Sequence, residues 1–269
     1  MTRLEFPLYL DHIRRESVRF REVLTDVDLA APVPSCPEWS AGDLLWHLGK
    51  VQHWWTHVVE ARPARPDDSG YVDPERPETH DRLLAFFDEW SDRLQRALEG
   101  AEPAEAAWTW SSDPADHTVG FIYRRQAHEA LVHRLDAELV AGTVTALDPA
   151  LAADGVEEVL ALMYGGTPPW GSFEPLDHHV ELRIDDVGES VWVRLGLFSG
   201  TRPDGTEISG EPDIHVVADP GTPADAVVSG YAGDLDGWLW HRLDDSGIAV
   251  TGDRDVYARV RSVLEQPIG

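Results

Sequence analysis

Helical periodicity in the first half of the chain is the feature that most limits its possible folds. Four segments place apolar side chains three and four positions apart, the spacing of an amphipathic helix that packs on a core. These predicted helices cover Leu8–Leu29, Leu44–Val59 with Ser40 as the N-cap, Glu78–Leu98 and Val119–Val140. Two of the connections between them are too long for tight hairpins. Helices of similar length with such connections predict a four-helix bundle.

The pattern changes near Leu147-Asp-Pro149, where alternation of apolar and polar residues begins to appear. The predicted elements are a helix over residues 150–164, strands at Val180–Ile184, Val191–Leu197 and Ile214–Val217, helices at Pro223–Ser229 and Leu235–Leu243, a strand at Ile248–Thr251 and a last helix at Asp253–Leu264. The predicted fold class is therefore α plus α+β, with a helix bundle in residues 1–148 and a smaller α+β sandwich domain in residues 149–269.

Composition narrows the possible partners and the compartment. The chain has 22 Lys and Arg residues against 49 Asp and Glu residues, a formal charge of -27, which argues against nucleic acid and anionic membrane surfaces as partners. Cys36 is the single cysteine, so no intrachain disulfide can form. The N-terminus lacks the pattern of a signal peptide, and no apolar run is long enough for a membrane span. We expect a cytoplasmic protein.

Glu129 and His133 are four residues apart in the fourth predicted helix, so both project from one face and can share a metal ion. They belong to a polar stripe on this helix, defined here as Gln126, Glu129, His133 and Asp136. From spacing alone, the polar stripe of this helix faces either water or the bundle interior, and both interpretations stay open.

Other histidines are weighed as metal ligands. His47 lies on the apolar stripe of the second helix, where a lone histidine is more often a core residue than a ligand. His53 and His57 are also four residues apart, but no carboxylate lies close to them in sequence. His128 points about 100° away from Glu129 around the helix, and is predicted to pack or to support a ligand. His178 and His179 are adjacent in a predicted strand, face opposite sides and cannot form one chelating pair.

Several runs of residues together resemble a known family. They are Ser35–Gly49, Trp54-Trp55, Arg125–Glu138, Asp225–Gly230, Leu239–Leu243 and Val250–Asp253. The resemblance is to the mycothiol-dependent maleylpyruvate isomerase family, a branch of the DinB-like metal-binding bundles with a second, sterol-carrier-like domain. It covers nearly the whole chain.

The resemblance implies a divalent metal, most often zinc, held by His47, Glu129 and His133. Three protein ligands of this kind leave a coordination position open, as catalytic zinc requires. The resemblance further implies that the thiol mycothiol is a cosubstrate whose sulfur takes the open position, where a cation favours the thiolate. The expected partners are this low-molecular-weight thiol and a small-molecule electrophile. The expected reaction is cis-trans isomerisation of maleylpyruvate to fumarylpyruvate, or thiol S-transfer to another electrophile.

An anionic substrate needs a cation in such an acidic protein. Arg242 matches the position of an arginine implicated in the family's activity, so the resemblance makes it the candidate catalytic residue; an ion pair with Asp244 or Asp245 is the alternative. Arg82 and Arg125 are further candidates for the same role. Cys36 lies among prolines without a nearby base, and we expect it to be structural.

Two other functions remain open from the sequence. One is a metal-dependent hydrolase that uses metal-bound water as the nucleophile, for which no added thiol is needed. The other is a binding or regulatory module on the same scaffold, which holds a ligand without turnover.

Overall fold

The computed structural model describes residues 3–65 and 70–268. It divides into two compact units, one of Leu4–Ala146 and one that contains Leu147–Gly269. The first unit is helical and the second is built on a mixed sheet, which confirms the predicted fold class. Of the loop between the second and third helices, residues 66–69 lie outside the described residues.

The first unit contains four long helices, close to the predicted ranges. They are α1 (Phe6–Thr25), α2 (Ala41–Ala61), α3 (His80–Glu99) and α4 (Val119–Ala141). Between α1 and α2, the proline-rich segment forms two short antiparallel strands, β1 (Pro32–Val33) and β2 (Cys36–Ser40). The hairpin leads directly into the first turn of α2.

Local signals in the sequence explain where α2 and α4 begin and end. Ser40 and Asp43 form a capping box, in which the Asp43 N–H donates to Ser40 Oγ at 3.2 Å and the Ser40 N–H donates to Asp43 Oδ2 at 2.9 Å. The Thr118 hydroxyl accepts from the Phe121 N–H at the start of α4. Gly142 follows α4 with a φ of 67°, a left-handed conformation that glycine adopts without strain.

Contacts between the helices fix their directions. Glu16 of α1 pairs with Arg134 of α4, and Arg19 of α1 pairs with Glu138 of α4. The pairs follow the same order along both helices, so α1 and α4 run parallel. In contrast, Arg14 and Arg21 pair with Glu99 and Asp88, so α3 runs antiparallel to α1.

Helices α2 and α3 run parallel to each other, since Gly49 lies against Phe86 and Glu60 pairs with Arg93 further along both helices. A Cβ atom at Gly49 would lie 3.1 Å from Phe86 Cδ1, so glycine permits this close packing. Because α2 shares its direction with α3, it is antiparallel to α4. The core between the helices is apolar and includes Phe20, Leu24, Leu44, Leu45, Leu48, Leu83, Leu84 and Phe87.

Helix α4 is buried on almost every side, including many of its polar side chains. Arg134 donates to Glu16 Oε2 at 2.7 Å and to Glu138 Oε2 at 2.9 Å, and Arg19 donates to Glu138 Oε1. Buried charges need such partners, since a lone charge in an apolar interior is costly. Within the polar stripe, Gln126, His133 and Asp136 are buried and Glu129 is partly buried, so the stripe belongs to the interior of the bundle.

The second unit begins with α5 (Pro149–Glu158), which continues as a π-helical turn over Val159–Tyr164. Its sheet contains five strands in the order β5-β4-β3-β6-β7. The strands are β3 (Gly171–Ile184), β4 (Glu189–Thr201), β5 (Glu207–Val217), β6 (Ala226–Gly230) and β7 (Ala249–Gly252). Helices α6 (Ala232–Leu239) and α7 (Arg254–Leu264) complete the unit. No helix among the described residues is long and apolar enough to cross a membrane.

One predicted element is wrong. The segment Pro223–Ser229 was expected to be helical, but Ala226–Gly230 forms β6, parallel to β3 with Val180 opposite Ala226. Ala226, Val228 and Gly230 are buried and alternate with less buried neighbours, which is the period of a strand. The β-branched valines also favour a strand. In a segment this short, the period of two is easily mistaken for part of a helical turn.

Candidate functional site

Three side chains that are far apart in sequence meet inside the bundle. Glu129 Oε1 lies 3.5 Å from His47 Nε2 and 3.2 Å from His133 Nε2. Glu129 and His133 occupy successive turns of α4, and His47 comes from the second turn of α2, which runs antiparallel to it. The His47 and His133 rings are 4.9 Å apart between centroids. We refer to His47, Glu129 and His133 as the triad.

The triad has the donor atoms and spacing of a metal site. One ligand atom from each residue lies within 4.8 Å of the other two, and among the described residues this is the group of His, Cys, Asp and Glu side chains with that property. Two ligands of a tetrahedral zinc ion with bonds of about 2.0–2.1 Å lie roughly 3.3 Å apart. The separations of 3.5 and 3.2 Å from Glu129 Oε1 to the two histidine nitrogens are close to this value, and all three ligand atoms lie within 4.8 Å of one another. The residues present therefore fit a divalent ion.

The ring of His133 is oriented by the carboxylate of Asp136, which lies at the ring nitrogen that does not face Glu129. Asp136 Oδ2 lies 2.9 Å from His133 Nδ1, and Asp136 is fully buried. The hydroxyl of Ser35 donates to the other oxygen of Asp136. A carboxylate that accepts from Nδ1–H leaves the Nε2 lone pair for a metal, the usual arrangement around a metal-binding histidine.

Glu129 is held in place by its second oxygen. Arg125 Nη2 lies 3.2 Å from Glu129 Oε2, so Oε1 is the oxygen that faces both histidines. Burial acts to raise the pKa of the Glu129 carboxyl. The hydrogen bonds from His133 and His47, with the charges of His133 and Arg125, nevertheless hold this pKa well below its usual range. The carboxyl is ionised at neutral pH, as a metal ligand must be.

The proton affinity of His133 is raised by the same contacts. Burial acts to lower the pKa of the His133 ring, but hydrogen bonds to Asp136 and Glu129 outweigh it and raise the pKa to about 9. A histidine binds a metal through a deprotonated nitrogen, so metal binding at this ring would release a proton.

Trp39 and Ser35 are site residues that the sequence analysis missed. The Trp39 ring lies 4.6 Å from the His47 ring and 6.2 Å from the His133 ring, centroid to centroid, with its plane 28° from that of His133. Both residues belong to the hairpin before α2 or its turn. Their signal in the sequence was the run Ser35–Gly49, in which only His47 was assigned a role in metal binding.

The arginines expected to bind substrate lie in different places. Arg242 follows α6 in the second unit, where its Nη1 donates to the Trp240 carbonyl oxygen at 2.7 Å and its guanidinium lies 6.0 Å from the Trp240 ring. Arg125 is buried and pairs with Glu129. Arg82 is exposed on α3. Asp245, weighed as a partner of Arg242, lies 3.7 Å from Arg261.

The competing histidines are not gathered into a metal site by the described part of the chain. His53 Nδ1 lies 2.9 Å from the Tyr71 hydroxyl, and the His57 ring stacks on Trp54. His128 is buried, and its ring meets the edge of Tyr9. Cys36 packs against the apolar core of the bundle.

Comparison with known proteins agrees with this organisation. Residues 10–138 match the model of the mycothiol maleylpyruvate isomerase N-terminal domain, and residues 150–259 match that of the C-terminal domain of the same family. The first match contains the whole triad. No curated protein matches the chain in sequence.

Solved structures show the same fold. The crystal structure of the mycothiol-dependent maleylpyruvate isomerase aligns with a TM-score of 0.57 over 93% of this chain and 96% of that one, at 13% identity. A histidine-to-alanine mutant of that isomerase aligns with a TM-score of 0.56 and 14% identity over the same shares of both chains. At this identity the likeness concerns the fold. The two family matches together span most of the sequence, and the chain belongs to the mycothiol-dependent maleylpyruvate isomerase family.

Proposed function

We propose that the protein is a metal-dependent enzyme that uses mycothiol to attack a small electrophile, either to isomerise maleylpyruvate or to transfer the thiol. The observation that carries the proposal is the triad, an N, O, N ligand set whose three ligand atoms lie within 4.8 Å of one another, with Glu129 Oε1 3.5 and 3.2 Å from the two histidine nitrogens. The proposed metal is zinc, held by His47 Nε2, Glu129 Oε1 and His133 Nε2. Family membership supplies the thiol.

The triad residues would hold a divalent cation, which would lower the pKa of a bound thiol and supply a thiolate near neutral pH. The chain's own residues prepare the site for this. Asp136 holds His133 in the tautomer that presents Nε2, and Arg125 fixes Glu129 so that one oxygen faces inward. Trp39 places an apolar ring beside both imidazoles.

In the isomerase reaction, the thiolate sulfur forms a bond to one carbon of the cis double bond, and the electron pair moves onto the conjugated carbonyl. The former double bond is then a single bond and can rotate. Return of the electron pair expels the thiolate and leaves the trans isomer, so the reaction has no net redox change. In a transferase, the carbanion takes a proton and the sulfur stays on the product.

We further propose that Arg242 is the residue that binds a substrate carboxylate. Its guanidinium has donors in a planar fork that matches a carboxylate, and one of them is engaged by the Trp240 carbonyl oxygen, which orients the group. Arg125 is assigned to support Glu129 instead.

The metal requirement is tested by replacing two of the ligands, with a substitution outside the triad as the control. We expect wild-type protein to hold about one divalent ion per chain, and His47→Ala and His133→Ala to lose it together with thiol-dependent activity. His57→Ala serves as the control, because His57 lies on α2 outside the triad and should leave the metal content unchanged. Metal content is measured by elemental analysis, and folding by thermal unfolding.

Incubation with mycothiol and a panel of electrophiles that includes maleylpyruvate then separates the two reactions by mass spectrometry. A stable adduct identifies a transferase, while a cis-trans change without an adduct identifies an isomerase. Turnover without any thiol would instead favour a hydrolase, and wild-type protein that binds no divalent metal would contradict the proposal altogether.

A further inference from the structure

Gln126 has a buried amide that nothing in the described part of the chain satisfies. It belongs to the polar stripe of α4 and lies three residues before Glu129, on the same face of the helix. Its side chain is 1% exposed, yet neither Nε2 nor Oε1 has a hydrogen-bond partner among the described residues. The buried side chains of Arg134, Asp136 and Glu138 on the same helix each have a hydrogen-bond partner.

Gln52 of α2 presents a second unpaired atom. It is fully buried, its Nε2 donates to Ser17 Oγ at 3.1 Å, and its Oε1 has no partner among the residues described. Gln52 is five residues beyond His47, an axial rise of about 7.5 Å, and Gln126 precedes Glu129 by about 4.5 Å. Because α2 and α4 are antiparallel, both glutamines lie on the same side of the triad along the bundle axis. Five residues also turn Gln52 about 140° around α2 from His47, towards Ser17 of α1, so Gln126 is the glutamine that shares a helix face with a triad residue.

These glutamines have a defined chemistry. An unpaired buried amide costs free energy that an apolar residue in the same place would avoid, so such groups are normally satisfied in the functional state. Gln126 offers one N–H₂ donor and one carbonyl acceptor, both uncharged. This set complements a neutral hydroxyl or amide group, which both donates and accepts, better than it complements a carboxylate, which only accepts.

We propose that Gln126 is a specificity-determining residue that binds a neutral hydroxyl or amide group of the molecule reacting at the triad. The inference rests on the proposed function, since the triad defines where the reactants meet. The group belongs either to the thiol, as the hydroxyls and amides of mycothiol would, or to the electrophile.

The test uses full-length protein loaded with Co²⁺, whose thiolate charge-transfer absorbance reports thiol binding directly. Mycothiol is compared with ethanethiol, which has no hydroxyl or amide group. In wild type we expect mycothiol to bind more tightly than ethanethiol. In Gln126→Leu the ratio of the two dissociation constants should fall about fivefold to tenfold while ethanethiol binds as before, the loss expected for one or two hydrogen bonds.

Two further measurements distinguish the source of the group and the alternative of a structural role. If the electrophile carries it, the thiol ratio is unchanged and Gln126→Leu raises the KM of a hydroxyl-bearing electrophile but not that of its alkyl analogue. The unfolding temperature of Gln126→Leu should equal or exceed that of wild type, because an unpaired amide is replaced by an apolar side chain. Gln95→Leu is the matched control, since Gln95 donates to Ser91 on α3, away from the triad.

Selectivity that is unchanged for both thiols and both electrophiles would overturn the inference. So would a lower unfolding temperature with equal weakening of both thiols, which would indicate a structural amide bridged by water. If neither thiol alters the spectrum of the cobalt-loaded wild type, the proposed function itself fails. Failure of the proposed function can thus be told apart from failure of the inference about Gln126, because the wild-type spectrum does not depend on a Gln126 variant.

Discussion

At the scale of single residues, His133 is the most constrained side chain of the site. It lies between Glu129 on one ring nitrogen and Asp136 on the other, and Asp136 is in turn bound by Ser35. A buried imidazole between two carboxylates has one orientation and one tautomer available for a metal. The orientation of His133 as a metal ligand thus depends on Asp136, which is not itself a ligand.

Replacement of Asp136 tests this dependence. We expect Asp136→Asn to weaken zinc binding about 10- to 100-fold, because the amide no longer fixes the Nδ1–H tautomer or strengthens His133 as a ligand. Competition with a chelator of known affinity measures the change. Asp92→Asn, at an exposed position of α3, is the control. Equal zinc affinities in Asp136→Asn and wild type would show that Asp136 does not orient the ligand.

The sequence predicted these residues unevenly. Spacing placed Glu129 and His133 on one helical face, which followed from the period of the helix alone. It could not decide whether that face was buried, since this depends on which helix packs against it. His47 entered through the family resemblance, and the structure brings it to Glu129. Trp39 and Ser35 reach the site through the hairpin of β1 and β2, whose conformation no local periodicity encodes.

At the scale of elements, the start of α2 sets the position of His47. The capping box of Ser40 and Asp43 lies less than two turns before His47, so fraying of this end would move a triad residue. Hydrogen bonds from the side chain and backbone of Ser40 lower the pKa of Asp43 to about 2, assisted by Arg76 and opposed by burial.

The pH dependence of stability follows from this shift. A depressed carboxyl pKa stabilises the fold fully above the unfolded value of about 3.9, and the contribution is lost as the pH falls toward about 2. We therefore expect Asp43→Asn to be less stable than wild type at pH 7, with a difference that shrinks as the pH falls below about 4. Urea unfolding followed by tryptophan fluorescence between pH 3 and 7 measures it.

Two variants complete this experiment. Ser40→Ala should cost about 1 kcal/mol at pH 7, the usual value of an N-cap side chain. Asp81→Asn is the control, because Asp81 lies in the first turn of α3, where the N-cap Thr79 makes no side-chain cap bond. A difference between Asp43→Asn and wild type that did not vary with pH would contradict the assignment.

The sequence predicted most elements because their ends carry local signals, such as Ser40, Gly100 and Gly142 at helix termini. The segment of β6 has no such signal. Its strand conformation depends on pairing with β3 and β7, which are distant in sequence, and long-range pairing overrides local preference there.

At the scale of the whole molecule, the net charge of -27 acts on every charged reactant. Long-range repulsion slows the approach of an anion, and salt screens it over about 8–10 Å at physiological ionic strength. Cations near the site act over shorter distances and are less affected by salt. Long-range repulsion and local attraction therefore change kcat/KM differently as salt is raised.

For an anionic electrophile such as maleylpyruvate, we expect kcat/KM to rise roughly twofold as salt is raised from low to physiological concentration, because screening removes repulsion. A neutral electrophile should show no such change and serves as the control. Steady-state kinetics over a salt series gives both values. A fall in kcat/KM for the anion would indicate that attraction by a cation at its binding site dominates its approach.

The antiparallel arrangement of α2 and α4 has a consequence for the chain itself. One ion bound by His47, Glu129 and His133 would link α2 to α4. Residues 48–128, which include all of α3, would then form a closed loop. Closing so long a segment restricts the unfolded chain in the way a disulfide does. Cys36 is the only cysteine, so the chain cannot obtain such a crosslink by oxidation within itself. The ion would serve as a staple that chelation removes, and the lifetime of the folded protein would follow the supply of metal.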